Sequence, residues 1–245
     1  MNITTIFYAH SDEFSKGAVH LSKDESYHLT RSLRCRVGDK FIITNGTGKA
    51  WWAELTKADA KYSVATLLDD ELPRLSPELP IKLTCGVGII RPKRFEAMLE
   101  MLVHLGVHEI VPIISRYSNP TYVKRLGGSE YQNRMQRILI AGMKSSLRTY
   151  LPEIHKPVEL FDLFKEHKWD KIYYGDYEGL PQVRENNLDD NVLLLTGPEG
   201  GFNHREIETI NDMHGIPIVL GRTRLRTETA AVTLTVKALD GMGLL

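Results

Sequence analysis

The chain has almost no cysteine, no net charge and no long apolar run, and each lack removes a class of protein. Of its 245 residues two are Cys, Cys35 and Cys85. Without a C-x-x-C spacing or further Cys, neither a disulfide framework nor a thiolate metal centre is expected. No stretch approaches the roughly twenty apolar residues that cross a bilayer. The N-terminal MNITTIFYAHSDEF has neither the basic nor the apolar region of a secretion signal. A soluble, cytoplasmic chain with no membrane partner is therefore expected. Thirty-one Lys and Arg balance thirty-one Asp and Glu, so attraction to nucleic acid has to come from local patches. Several signature loops are missing too. There is no G-x-x-x-x-G-K-[ST], and G-x-G-x-x-G is not completed after Gly46-Thr-Gly48 or Gly86-Val-Gly88, which weighs against NTP hydrolysis and hydride transfer. Neither G-x-S-x-G nor H-E-x-x-H occurs, and Gly106 lies between His104 and His108, so no metal is expected.

What is present changes character along the chain. Residues 1–71 carry short β-branched or alternating runs (KFIITN, AWWAEL, YSVATLL) broken by Asn-Gly and Lys-Ala-Asp stretches, the pattern of a small antiparallel barrel or sheet. The segment DDELPRLSPELP holds three prolines and four acids, which disfavours helix and strand alike and marks residues 72–80 as a linker. From Ile81 to Leu245, apolar strands (IKLTCGVGI, VHEIVPII, KIYYGD, NVLLLT, IPIVLG) alternate with helices near 92–105, 130–144, 203–214 and 228–240. That rhythm predicts an α/β domain with a mostly parallel sheet.

Charge is unevenly spread. Arg116, Lys124, Arg125, Arg134, Arg137, Lys144 and Arg148 face a single acid, Glu130, over their stretch. Arg31, Arg34, Arg36 and Lys40 form a second cluster, and Arg222, Arg224 and Arg226 a third. Local excess of this kind binds phosphate backbones, with Tyr117, Tyr122 and Tyr131 available to stack on bases. The competing reading is a solvated helix face balanced by the acidic stretch from Glu153 to Asp190.

The strongest local signal is LLLTGPEGGF, Leu193 to Phe202, an apolar strand entering a glycine-rich turn. Asn203 with Glu206 forms a capping-box pattern that starts a helix directly after it. Ligands of open α/β sheets settle outside the carboxyl ends of strands, where this turn lies. About twenty residues later IPIVLG ends a second apolar strand and leads through RTRLRTETAAVTLT into the last helix. Two such strand ends predict one composite pocket.

GPEGGF together with L-R-T-E-T-A resembles the RsmE family of SPOUT-superfamily methyltransferases, which modify N3 of a uridine in the decoding region of 16S rRNA. The likeness spans nearly the whole chain: HLTRSLRCRVGD, His28 to Asp39, is similar to that family's PUA-like RNA-binding domain, and LGVHEIVPIISRYS to its first βαβ unit. The resemblance implies a PUA-like β-barrel followed by a SPOUT domain with a C-terminal trefoil knot, a homodimer, and S-adenosylmethionine as cofactor. It also implies a cofactor set of Leu195, Thr196, Gly197, Glu199, Gly200, Gly201, Leu220, Gly221, Leu225, Thr229 and Ala230, with Leu195 and Leu225 sandwiching the adenine. Arg226 is the candidate catalytic cation, and Glu228 is either a base or a helix-capping acid. Arg31, Arg34, Arg36, Arg116, Lys124, Arg125, Arg134 and Arg148 are the candidate rRNA contacts. Departures from the family pattern fall elsewhere: Met101 to Gly106 replaces a K-x-x-E-L-G run, and Ser145 to Arg148 a Gln-Ser-Gly-Arg run. These changes bear on substrate contacts, leaving open another RNA position, a tRNA, or a non-catalytic RNA-binding assembly factor.

Overall fold

Two sheets built on different pairing rules divide the chain. The computed structural model describes residues 5–72, 78–166, 168–184 and 190–245. They fall into two compact units, Met1–Glu78 with Ile140–Leu151, and Leu79–Leu139 with Pro152–Leu245. Most of the linker expected at 72–80, residues 73–77, lies outside the described residues.

The first unit contains β1 (Ile6–Tyr8), β2 (Phe14–Ser15), β3 (Ala18–His20), α1 (Lys23–Tyr27), β4 (Lys40–Thr44), β5 (Ala50–Lys57) and β6 (Val64–Glu71). Its six strands run in the order β1-β4-β5-β6-β3-β2. The pairing is antiparallel except that β1 lies parallel to β4, where a wholly antiparallel sheet was expected. The long connection through β2, β3 and α1 makes this possible, because parallel neighbours need a crossover that no tight turn can supply. Phe7, Val19, Leu29, Ile43, Leu55 and Ala65 form the core on one face. Ile6, Ile42 and Ala50 gather on the other, with Leu147 packed against them.

Leu147 explains why residues 140–151, counted with the C-terminal domain in the sequence reading, group with the first unit. Leu151 N donates to Gly46 O at 2.9 Å and Gly48 N to Thr149 O at 2.9 Å. Lys144 pairs with the carboxylate of Glu25, and Arg148 donates to Glu78 Oε2 from Nε at 3.0 Å and Nη2 at 2.8 Å.

The second unit follows the alternating pattern. It comprises β7 (Lys82–Gly88), α2 (Pro92–His104), β8 (Glu109–Ile114), α3 (Pro120–Leu126), α4 (Ser129–Ser145) up to Leu139, β9 (Glu153–Ile154), β10 (Val158–Glu159), α5 (Leu160–Glu166), β11 (Lys171–Asp176), β12 (Asn191–Thr196), α6 (His204–Asp212), β13 (Ile216–Val219) and α7 (Thr227–Gly241). The order is β10-β8-β7-β12-β11-β13, with β9 also pairing β8. Every pairing is parallel. A parallel sheet is covered on both faces, so its strands read as unbroken apolar runs; Val192 to Leu195 in β12 are all buried. Helix α7 packs on β7, β11, β12 and α2. The chain builds outward in one direction through β8 and in the other through β11 and β13, so β7 and β12 flank a switch point whose carboxyl ends open a crevice. Among the described residues no helix is long and apolar enough to cross a membrane.

At the opposite, amino-terminal edge of this sheet, Glu109 faces Lys82 Nζ at 2.6 Å and His155 Nε2 at 3.7 Å. The His155 ring, then Lys82, holds the Glu109 carboxyl down at about 2. Glu109, with Glu153 beyond it, raises His155 in return. His155 therefore stabilises the fold fully below its ordinary 6.5 and loses that contribution as pH rises through the raised value. Glu109 contributes above its ordinary 4.5 and fades as pH falls toward 2. Between those ordinary values both act. In thermal melts across pH 4 to 9, His155→Ala is expected to lose about 1 kcal/mol, or about 2–4 °C, inside that window and nothing at pH 9, where the parent's His155 is neutral.

Candidate functional site

Three strand ends converge on one cavity. Strand β12 stops at Thr196 and enters Gly197-Pro198-Glu199-Gly200-Gly201; β13 stops at Val219 and enters Leu220 to Arg226; β11 stops at Asp176. Together they enclose about 670 Å³, within the usual range for a small-molecule site. The turn after β12 depends on missing side chains. Gly201 sits at φ +73°, and a Cβ on Gly197 would stand 2.7 Å from the carbonyl carbon of Gly201. A Cβ on Gly88, at the end of β7, would come within 2.2 Å of Pro198 N. Arg224 Nη2 donates to Glu199 O at 2.8 Å and ties the third basic cluster to this turn. Thr196 lines the cavity, and its buried hydroxyl finds no partner among the described residues.

Nine of the expected cofactor residues line the cavity: Thr196, Gly197, Glu199, Gly200, Gly201, Leu220, Gly221, Leu225 and Ala230. Arg226 joins them as the exposed residue before α7. Leu195 does not. It points to the opposite face of β12 and is fully buried with Ile113, Leu193 and Ile210, so it is unavailable for an adenine sandwich. Thr229 is exposed on α7 outside the lining, and Glu228 is also absent from it. Glu228 lies in the first turn of α7, 16% exposed, with Oε1 3.8 Å from Arg94 Nε. The sequence reading missed Gly175 and Asp176 at the end of β11, Tyr177 just after it, and Phe202 and Ile207. KIYYGD ends like the other two strands, but only the order β12-β11-β13 brings it to the same edge.

Glu206 joins this turn to the basic segment. It is 3% exposed. Its Oε2 accepts from Asn203 N at 2.7 Å, completing the expected capping box, and its Oε1 accepts from Arg116 N at 2.7 Å. Arg116, Lys124 and Arg125 are exposed beyond that anchor. Arg134 is exposed but donates to Glu96 Oε2 at 2.8 Å. Arg148 leaves the candidate RNA set, since it is 3% exposed and bound to Glu78. Tyr131 likewise cannot stack on a base: it is 5% exposed and donates to Pro92 O at 2.8 Å. The sequence reading overlooked Arg91, exposed ahead of α2, whose guanidinium charge is favoured by the neighbouring Tyr122 first and by Glu199 second. In the first unit, Arg31, Arg34 and Arg36 are all exposed in and after a π-helical turn, His28–Ser32, beside exposed Tyr27, Leu33 and Val37.

Comparison with known proteins agrees with both halves. Residues 77–238 match the family model of an RNA methyltransferase domain, and residues 21–68 that of an RNA methyltransferase PUA domain. The ribosomal RNA small subunit methyltransferase E of Aquifex aeolicus is 30% identical over 229 residues, covering 94% of this chain and 96% of its own. A probable rRNA-methyltransferase from Porphyromonas gingivalis, of known structure, is 27% identical with a TM-score of 0.80, covering 98% of each chain. The ribosomal RNA small subunit methyltransferase E of Neisseria gonorrhoeae, solved bound to S-adenosyl methionine, has the same fold at a TM-score of 0.80, with 24% identity over 97% of each chain.

Removing the Glu206 carboxylate strands the Asn203 and Arg116 N–H groups. Glu206→Ala is expected to cost about 2–4 kcal/mol, read as a melting temperature lower by about 5–10 °C. Glu206→Gln, which keeps one acceptor, is expected to fall between it and the parent.

Proposed function

The chain belongs to the RNA methyltransferase family, and from that premise we propose that it methylates N3 of a uridine in small-subunit ribosomal RNA, using S-adenosylmethionine. The observation that carries this is the convergence of the glycine turn, the Leu220–Arg226 loop and Arg226 on a single cavity. A zwitterionic nucleoside fits there. Main-chain groups of Thr196, Gly197, Gly201, Leu220, Gly221 and Leu225 would hold it, the unpartnered Thr196 hydroxyl offers one further bond, and Asp176 and Glu199 place carboxylates on a wall that also holds Arg224. When bound, S-adenosylmethionine supplies an electrophilic methyl group on a sulfonium.

The protein's part is to prepare the nucleophile. Uracil N3 carries a proton at neutral pH, and transfer requires that this proton pass to solvent water. Arg226 hydrogen-bonds a uracil carbonyl and stabilises the charge that develops as it does so. It stands directly before α7 (Thr227–Gly241), whose positive end favours an anion at the same place. Glu228, outside the cavity and beside Arg94, is read as the acid that complements the first turn of α7. The exposed Arg31, Arg34, Arg36, Arg116, Lys124 and Arg125 hold the RNA backbone, each contributing about one unit of salt slope. The same reading carries a homodimer in the cytoplasm and a knotted C-terminus.

Purified protein, labelled S-adenosylmethionine and unmodified small subunits should yield 3-methyluridine on digestion and mass spectrometry. Methylation of a different RNA would retain the fold and move the substrate, whereas absence of cofactor binding would leave an RNA-binding assembly factor. Arg226→Ala should lower kcat by about 10²–10³-fold while cofactor affinity stays within about threefold. Glu228→Gln should keep near-normal turnover; a loss as large as that of Arg226→Ala would restore it as the base.

A further inference from the structure

We propose that Tyr117 is the platform on which a base of the substrate RNA stacks at the mouth of the cavity, an inference that rests on the RNA-methylation reading above. Three tyrosines lie in the basic segment, and the structure separates them. Tyr131 is buried and Tyr122 is half-buried beside Arg91. Of these three, Tyr117 alone offers its ring, 54% exposed.

Its position is tied to the cavity wall. A Cβ on Gly200, a wall residue, would meet Tyr117 Cβ at 2.8 Å, Cγ at 2.9 Å and Cδ2 at 3.1 Å, so the ring rests against the outer side of the turn. Its neighbours are held on both flanks. Arg116 N donates to buried Glu206 at 2.7 Å, Ser115 N to Ser118 Oγ at 3.0 Å, and Ser118 N to Ser115 O at 2.9 Å. An exposed aromatic ring on a backbone fixed at these points gains little from the fold. It does match what a reaction at a base edge requires, since the base has to leave its own stack and find another surface. The adjacent Arg116 is exposed and suited to the phosphate of the same nucleotide.

Stacking on an aromatic side chain is sequence-tolerant and needs the ring rather than the hydroxyl. With unmodified small subunits, Tyr117→Phe is expected to stay within about twofold of the parent in kcat/KM. Tyr117→Ala should lose about 5- to 150-fold, the range set by removal of one stacked base, with unchanged S-adenosylmethionine affinity by calorimetry and an unchanged melting temperature. Equal loss in both variants would assign the effect to the hydroxyl and overturn the platform. So would no loss in Tyr117→Ala, or a parallel fall in cofactor affinity. Should the parent protein methylate no RNA, the functional reading fails separately, and the platform is read from Tyr117→Trp titrated with oligouridylate. Quenching beyond that of the parent supports it, and its absence overturns it.

Discussion

Backbone lies against backbone where the turn after β12 crosses the end of β7, and the cavity depends on that approach. Gly88 leaves the space into which the Gly197–Pro198 peptide settles, and Gly197 leaves the space for Gly201. A methyl group at either place would have to move main chain, which cannot yield as a long side chain can. With the turn seated so low, Gly200 comes against Tyr117 and Glu199 O comes within reach of Arg224. Close packing of glycines thus sets both the depth of the pocket and the position of its rim.

Glu206 extends the same constraint to a second segment. A buried carboxylate is costly unless its oxygens are satisfied, and here each takes a backbone N–H from a different part of the chain. The start of α6 and the connection after β8 are therefore fixed relative to each other through one side chain. The exposed basic segment and the glycine turn thus share one support, which the fold itself supplies.

Much of the second unit was legible because its strands are long enough to show their period. KIYYGD and NVLLLT coincide with β11 and β12, and the Asn203–Glu206 capping box stands as the pattern implied. Short elements were missed: α3 and α5 span seven residues each, too few for a helical face to declare itself. The site was half legible. Glycine turns mark strand ends, but strand order decides which ends meet, and nothing local in KIYYGD reveals that it lies between β12 and β13. Side-chain direction was hidden as well: Leu195 and Thr196 are adjacent in a strand and therefore face opposite sides. Charge counting was blind to pairing, so Arg148, buried against Glu78, looked no different from the exposed Arg116.

The membership of residues 140–151 in the first unit bears on how the protein is made. An N-terminal unit continuous in sequence can finish folding while the ribosome is still reading the rest. Here the early segment waits for Lys144 to neutralise buried Glu25, for Leu147 to cover Ile6 and Ile42, and for Arg148 to reach Glu78. Until about two thirds of the chain has emerged, the N-terminal sheet has an uncovered apolar face and unpaired buried acids. Completion of the first unit is thereby tied to synthesis of much of the second, and a nascent chain stalled between them would be a natural client for chaperones.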